Sequence, residues 1–271
     1  MASIGFNRNI RDAFYTKPHI ASDCIKLLKQ HINLDSFQTI IEPSAGSGAF
    51  SNLFINDNRI TSYDIEPQHT SIIKADFLTV DLFLEGKTLI IGNPPFGRQS
   101  MILKKFIKRC CHQIKADTIA FILPLSFSNQ HNQLAFPLTY HLLYEYPIPK
   151  DSFTIGGISH HVPTVFQIWI KKDFNRILKP PTPSIGFHYV KSNEECDFAL
   201  CRQGSKRHRK LKFITQGLLD STHFFIKFDV PVDIVEFEDK YNNIVFTQCY
   251  NNFLNSITKN ELNEKLNPII N

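Results

Sequence analysis

One short segment, Asn93-Pro94-Pro95-Phe96, combines residue types that could act on a planar amine. An exocyclic amine on a nucleobase is a poor nucleophile, because its lone pair is delocalised into the ring. The Asn93 side-chain oxygen and the Pro94 carbonyl could accept its two N–H bonds and draw the nitrogen towards tetrahedral geometry. The prolines stiffen the loop, and Phe96 offers a face for stacking a base. The alternative interpretation is a rigid turn that closes a strand.

A second segment, EPSAGSGAF at residues 42–50, has the composition of a loop that holds a nucleoside. Gly46 and Gly48 would let backbone N–H groups approach a ligand closely. Asp64 lies 22 residues after Glu42, at the end of the next apolar run. A carboxylate there can accept hydrogen bonds from ribose hydroxyls. A glycine loop alone could be an ordinary tight turn, but the following carboxylate favours nucleoside binding.

Both segments follow short apolar runs that alternate with amphipathic stretches. The predicted strands cover residues 39–41, 60–65, 88–91, 119–123 and 165–170. The predicted helices begin at Pro18, run through residues 102–114 and cover residues 133–143. This alternation predicts an α/β fold with a mostly parallel sheet and helices on both faces. Ligands bind at the carboxyl ends of the strands in such sheets, which is where both segments lie.

The order and content of these segments resemble the amino-directed class of Rossmann-like S-adenosylmethionine-dependent methyltransferases, especially the N6-adenine DNA methyltransferases. The resemblance covers residues 12–172 and is carried by Phe14-Tyr15-Thr16-Lys17-Pro18, residues 42–50, Asp64-Ile65, Asp76-Phe77 and the NPPF segment. It implies a catalytic loop formed by Asn93, Pro94, Pro95 and Phe96. It implies cofactor contacts from Tyr15, Thr16, Glu42, Pro43, Ser44, Ala45, Gly46, Gly48, Phe50, Asp64, Ile65, Asp76, Phe77 and Asn93. It further suggests Asp12 and Phe14 as caps of the cofactor pocket.

The resemblance also implies a class I methyltransferase domain over residues 1–174 and a reaction. The expected reaction is methyl transfer from S-adenosylmethionine to the exocyclic amine of adenine in DNA. RNA adenine methylation is the second reading, followed by a protein-glutamine methyltransferase and a catalytically silent nucleic-acid-binding homologue. A nicotinamide-dependent oxidoreductase would share the glycine loop but leave the NPPF segment without a role. Residues 152–163 are predicted as a hairpin, with Phe153 and His160 as candidates for contact with the target base.

Residues 175–271 are predicted to form a smaller appended domain that contacts nucleic acid. It begins with a turn-rich connector at residues 179–186, KPPTPSIG. Residues 202–212, RQGSKRHRKLK, could follow backbone phosphates, and a solvated charged loop is the alternative. The predicted nucleic-acid contacts are Arg202, Lys206, Arg207, Arg209 and Lys210.

Composition limits the remaining classes. The chain has 271 residues, of which 42% are hydrophobic and 20% charged, which excludes a disordered chain. A net charge of +5 is compatible with a polyanionic partner. The six cysteines form no CxxC pair, and His160-His161 has no third ligand at suitable spacing, so no metal site is expected. No segment is apolar enough for a secretory signal or a bilayer span, so we expect a soluble, cytoplasmic protein.

Overall fold

A computed structural model describes residues 14–202, 210–246, 249–251 and 254–270. It divides the chain into unit 1, Met1–Ile177, and unit 2, Leu178–Asn271. Among the helices of the described ranges, none is both long and apolar enough to cross a membrane.

The described residues of unit 1 form ten strands and three α-helices. The strands are β1 (Tyr15–Thr16), β2 (Thr39–Glu42), β3 (Ile60–Asp64), β4 (Ile73–Lys74), β5 (Thr88–Gly92), β6 (Thr118–Pro124), β7 (Tyr140–Pro147), β8 (Phe153–Ile155), β9 (Ile158–His160) and β10 (Thr164–Lys171). The helices are α1 (Pro18–His31), α2 (Met101–Lys108) and α3 (Gln130–Gln133), and a π-helical turn, Arg109–Ile114, continues α2.

Seven of these strands form one sheet in the order β4-β3-β2-β5-β6-β10-β7. The neighbours from β4 to β6 are parallel, whereas β10 is antiparallel to both β6 and β7. Six strands therefore run in one direction and β10 runs against them. The predicted fold class, a mostly parallel α/β sheet with a smaller C-terminal part, is confirmed.

Alternate residues of the buried strands pack on opposite faces of the sheet. On β6, Ala120 and Ile122 join the cluster beneath α1, and Ile119, Phe121 and Leu123 join the cluster beneath α2. From α1 the first cluster receives Ile20, Ala21, Cys24, Ile25 and Leu28. From α2 and the π-helical turn the second receives Leu103, Phe106, Ile107, Cys110 and Cys111. Burial on both faces explains why the strands are continuous apolar runs in the sequence.

The helix predicted over residues 133–143 is wrong, whereas the other predicted helices and strands are found. Helix α3 ends at Gln133, and strand β7 begins at Tyr140. The Arg176 guanidinium donates to the carbonyl oxygens of Gln133, Phe136, Pro137 and Tyr140. These carbonyls are therefore satisfied without a helix, and a short apolar run does not by itself distinguish helix from strand.

A small second sheet links the first described residues to a late hairpin. Strand β1 pairs antiparallel with β8, and β8 pairs with β9, which confirms the hairpin predicted in residues 152–163. Gly156 and Gly157 join β8 to β9 with φ of +55° and +80°. Two successive positive φ angles are the geometry of a tight hairpin turn, which favours glycine.

Unit 2 has a core of its own around an antiparallel sheet. Its elements are β11 (Phe187–Val190), β12 (Phe198–Cys201), β13 (His223–Phe228), α4 (Ile234–Asn242), β14 (Cys249–Asn251), β15 (Leu254–Ser256) and α5 (Lys259–Ile270). The sheet order is β11-β13-β12. The buried core residues are Phe187, Phe198, Leu200, Phe224, Ile226, Phe237, Tyr241, Ile257, Leu262, Leu266 and Ile270.

Three asparagines of α5 bind the proline-rich connector. Asn260 Oδ1 accepts from the Thr182 N–H at 2.6 Å, and Asn263 Nδ2 donates to the Thr182 carbonyl at 2.7 Å. Asn267 Oδ1 accepts from the Ile185 N–H at 3.0 Å. Spacings of three and four residues place these side chains along one helix face. The predicted connector is thus an integral part of unit 2.

Candidate functional site

The three sequence segments predicted to act together meet at one edge of the main sheet. Strands β3, β2 and β5 are parallel neighbours, so their carboxyl ends lie side by side. Glu42 ends β2 and Asp64 ends β3, while Asn93 directly follows β5. This edge carries the glycine loop, the ribose-type carboxylate and the NPPF segment.

The glycine loop is held against Asp64 and Tyr15. Gly46 N–H donates to Asp64 Oδ2 at 2.8 Å, and the Glu66 N–H donates to Asp64 Oδ1 at 2.8 Å. Gly46 and Gly48 have φ of +56° and +81°, where L side chains are strained. A Cβ on Gly46 would lie 2.8 Å from Cε1 of Tyr15. Both the backbone angle and the aromatic ring therefore require glycine at position 46.

Glu42 is almost completely buried beneath this loop, with 1% of its surface exposed. Its Oε2 accepts from the Ser51 N–H at 2.8 Å, which fixes the far end of the loop. Burial raises the pKa of Glu42 from 4.5 to about 7. Burial likewise raises the pKa of Asp64. The site thus holds a carboxyl group that changes charge near neutral pH.

The remaining residues predicted to contact the cofactor differ in accessibility. Pro43, Ala45 and Phe50 are buried, so only their backbone could reach a ligand. Ile65, beyond β3, is 54% exposed. In the next segment, Asp76 Oδ1 accepts from the Leu78 N–H at 2.9 Å. Phe77 is 1% exposed and stacks on Phe106 with centroids 5.4 Å apart, so its ring lies in the core.

The orientation of the Asn93 amide is set by the strand at the start of the chain. Asn93 Nδ2 donates to the Phe14 carbonyl at 3.2 Å and to Thr16 Oγ1 at 3.1 Å. The Asn93 carbonyl accepts from Ser44 Oγ at 3.2 Å. Both amide hydrogens are therefore engaged. Among the described residues, none donates to Asn93 Oδ1, which remains an acceptor for a ligand.

A small pocket, here called the Asn93 pocket, opens beside this amide. It is lined by Phe14, Asn93, Pro94, Pro95, Phe96, Phe153 and Val162. Its empty volume is about 270 Å³, part of which is open to solvent. Three of the lining residues are phenylalanines, whose ring faces could stack on a planar group.

The sequence pointed to part of this pocket and missed the rest. Phe153, one of two hairpin candidates, lines the pocket, whereas His160 stands edge-on to Phe14 with centroids 6.2 Å apart. Val162, which lies between β9 and β10, was not predicted. Asp12 lies outside the described residues. The hairpin predicted in residues 152–163 was the sequence feature that indicated one side of the pocket.

The predicted nucleic-acid contacts lie in unit 2. Arg202 and Lys210 are described, and Lys210 is exposed. Lys206, Arg207 and Arg209 lie outside the described residues. No group of three or more His, Cys, Asp or Glu side chains that could hold a metal ion occurs in the ranges that the structure describes.

Known proteins offer distant matches to this chain. No protein-family model and no curated protein matches it. A solved structure from Pyrococcus horikoshii, provisionally described as an RNA methyltransferase, is similar at 14% identity over 60% of this chain and 88% of that chain, with a TM-score of 0.44. A Listeria monocytogenes protein, provisionally described as a class I S-adenosylmethionine-dependent methyltransferase, is similar at 15% identity over 67% of this chain and 66% of that chain, with a TM-score of 0.44. The 23S rRNA methyltransferase ErmE is similar at 17% identity over 61% of this chain and 72% of that chain, with a TM-score of 0.41. Similarities this distant identify no acceptor for this chain.

Proposed function

We propose that this chain is an S-adenosylmethionine-dependent methyltransferase that acts on the N6 amine of adenine in DNA. One observation carries the proposal. The Asn93 amide nitrogen donates to Phe14 and Thr16, so its oxygen is left to accept from a substrate at the wall of the Asn93 pocket. An exocyclic amine needs such an acceptor, since its lone pair becomes nucleophilic only when its N–H bonds are held out of the ring plane.

Asn93 and Pro94 each supply one oxygen that can bind the amine. The carbonyl oxygens of Asn93 and Phe96 accept from Ser44 Oγ and the Leu103 N–H. By contrast, no donor from the described residues is paired with the Pro94 carbonyl. Asn93 Oδ1 and the Pro94 carbonyl can then each accept one amine N–H. The nitrogen loses conjugation with the ring as both bonds form, and the methylated amine releases a proton to solvent.

Three phenylalanines give the pocket the apolar surface that a base requires. Phe14, Phe96 and Phe153 all line it. A planar ring gains stacking energy on such faces. A base flipped out of a duplex loses a few kcal/mol of pairing and stacking, which contacts of this kind offset.

The residues around the glycine loop suit S-adenosylmethionine. Tyr15 packs so closely on Gly46 that a Cβ there would be 2.8 Å from the ring, which gives the loop an aromatic border. Each oxygen of Asp64 accepts one backbone N–H and retains a lone pair for a ribose hydroxyl. Asp76 offers a further carboxylate after β4. When bound, the cofactor supplies a methyl group on a positively charged sulfur.

Labelled S-adenosylmethionine and three acceptors test the proposal: duplex DNA, single-stranded DNA and total RNA. Recovered nucleosides are identified by mass spectrometry. The expected product is N6-methyladenine in DNA. Asn93→Ala should lower the rate by about 100-fold or more, the usual effect of removing a group that stabilises a transition state, with cofactor affinity nearly unchanged.

A matched variant separates chemistry from folding. Asn242→Ala removes the same side chain from an exposed position of α4 and should leave the rate unchanged. Label in RNA alone would show that the acceptor is RNA and not DNA, and would leave the proposed methyl transfer to an amine unchanged. Equal activity of Asn93→Ala and wild type would refute the role of Asn93, and no label in any acceptor despite cofactor binding would refute the nucleic-acid substrate.

A further inference from the structure

Arg202 and Lys212 place two cations at one end of the unit 2 sheet. Cys201 of β12 pairs with His223, the first residue of β13, and Arg202 follows directly. Lys212 bridges to Ala199 of β12, with reciprocal N–H···O distances of 2.8 and 3.0 Å. Both side chains contact His223. Arg202 Nε donates to its carbonyl at 3.0 Å, and Lys212 Nζ lies 3.0 Å from its Nε2.

The contact with His223 leaves the charge of Lys212 intact. An ammonium group cannot accept a hydrogen bond, so His223 Nε2 accepts and the ring is neutral. The proton on Nδ1 then faces Thr222 Oγ1 at 2.8 Å, and that hydroxyl donates to the Leu219 carbonyl at 3.1 Å. Burial and the Lys212 charge lower the pKa of His223, in agreement with a neutral ring.

Arg202 is held in place, and none of the described residues accepts from its terminal nitrogens. Its guanidinium carbon lies 4.4 Å from the centroid of the Phe224 ring. Its backbone N–H donates to Thr222 at 2.9 Å, and its carbonyl accepts from Ile257 at 2.9 Å. A guanidinium fixed on an aromatic ring loses little further freedom when its fork binds an anion.

The charges of both cations lack a carboxylate partner among the described residues. Within the part of the chain that the structure describes, no Asp or Glu pairs with Arg202 or Lys212. Both side chains are only partly exposed. Both cations contact His223, and like charges in partly buried positions repel one another, so an anion would relieve that repulsion.

We propose that Arg202 and Lys212 form a cationic edge that binds backbone phosphates of nucleic acid. Arg202 matches phosphate through its planar fork, and Lys212 adds a point charge on the same strand end. A phosphate backbone, which repeats its charges along a strand, can contact two cations held at separate points. The inference rests on the proposed nucleic-acid substrate and adds the residues that would hold its backbone.

Binding of a fluorescent oligonucleotide, measured by anisotropy without cofactor over a series of salt concentrations, tests the edge. Lys212→Gln and Arg202→Gln should each weaken binding and reduce the slope of log K against log[salt] by about 0.7 to 0.9. Lys212→Arg should retain the wild-type slope because it keeps the charge. Circular dichroism confirms that each variant is folded.

Lys227→Gln is the matched control, since it makes the same charge change at an exposed position further along β13. It should leave affinity and slope unchanged. An equal loss in Lys227→Gln would show a general charge effect and overturn the proposal, as would an unchanged slope in both glutamine variants. Inorganic phosphate should compete no more than its ionic strength explains; stronger competition would assign the edge to a free anion. Methyl transfer is not part of this measurement, so the proposed reaction can fail or succeed separately.

Discussion

The side-chain amide of Asn93 can present its oxygen to a ligand only if another group holds its nitrogen. Thr16 Oγ1 and the Phe14 carbonyl do this, at 3.1 and 3.2 Å. Thr16 is buried, so water does not compete strongly for its hydroxyl. Thr16 is thus a positioning residue for the proposed reaction as well as a predicted cofactor neighbour.

Thr16→Val removes the hydroxyl acceptor and keeps the shape of the side chain. We expect kcat to fall about five- to tenfold, the value of one hydrogen bond of about 1 kcal/mol, with a small change in KM. Thr16→Ser should restore most of the rate. Steady-state kinetics of the three proteins check this, and equal losses in the valine and serine variants would contradict the positioning role.

Glu42 makes the stability of unit 1 depend on pH. Its pKa is raised to about 7 in the folded chain from 4.5, so the folded state binds the proton more tightly. Protonation of Glu42 therefore contributes to the free energy of unfolding. This contribution, about 3 kcal/mol, is fully present below pH 4.5 and is lost as the pH rises through 7.

Glu42→Gln keeps the acceptor for the Ser51 N–H and cannot ionise. The variant should therefore gain stability relative to wild type as the pH rises from 4.5 to above 7. Urea unfolding at several pH values measures the difference. Asp81→Asn, at an exposed position, should show no such trend; a parallel pH profile for Glu42→Gln and wild type would rule out the titration of Glu42.

At the scale of elements, the sequence identifies the strands whose ends carry polar segments. The apolar runs of β2 and β5, at Glu42 and before Asn93, are buried on both faces and are therefore visible in the sequence as continuous apolar segments. Long-range pairings are not visible in local composition. The pairing of β1 with β8, which brings Phe14 and Phe153 to Asn93, depends on residues far apart in the chain. The strand at residues 140–147 was missed because Arg176 satisfies the preceding carbonyls from outside the segment.

The proline-rich connector gives an element-scale prediction for unit 2. Asn263 is 7% exposed, donates to the Thr182 carbonyl at 2.7 Å and accepts from the Tyr189 hydroxyl at 2.6 Å. Asn263→Ala leaves both groups without this partner, so we expect a loss of about 1–3 kcal/mol in the free energy of unfolding.

Denaturant unfolding with Asn242→Ala as the control checks this value. Asn242 lies on the exposed face of α4, so its replacement should change stability by no more than about 0.5 kcal/mol. A loss in Asn263→Ala that is as small as in the control would mean that α5 and the connector do not depend on these hydrogen bonds.

At the scale of the whole molecule, the two units have separate hydrophobic cores. Calorimetry of the full chain should therefore show two transitions. S-adenosylmethionine should raise the transition temperature of unit 1 only. At one hundred times its Kd it should add about 2.7 kcal/mol to the free energy of unfolding of that unit. A cofactor-induced shift of both transitions or of neither would contradict the assignment of the cofactor to unit 1.

Two glycine variants with similar backbone strain separate the effect of the strain from that of the contact with Tyr15. Gly46 and Gly156 have φ of +56° and +55°, but a Cβ meets the Tyr15 ring only at Gly46, and nothing within 4 Å at Gly156. Gly46→Ala should abolish the cofactor-induced shift, whereas Gly156→Ala should retain it. Loss of the shift in both variants would point to strain alone.

The pairing of β1 with β8 also has a consequence for protein synthesis. Phe153 is translated long after its partner Thr16, at elongation rates of about 5–20 residues per second. Until β8 emerges, β1 has no strand to pair with and the Asn93 amide nitrogen has no fixed acceptor. An unfinished chain can therefore contain the glycine loop and the whole NPPF segment while the Asn93 amide has no fixed orientation. For the proposed methyl transfer, a chain that ends before β8 should therefore be inactive.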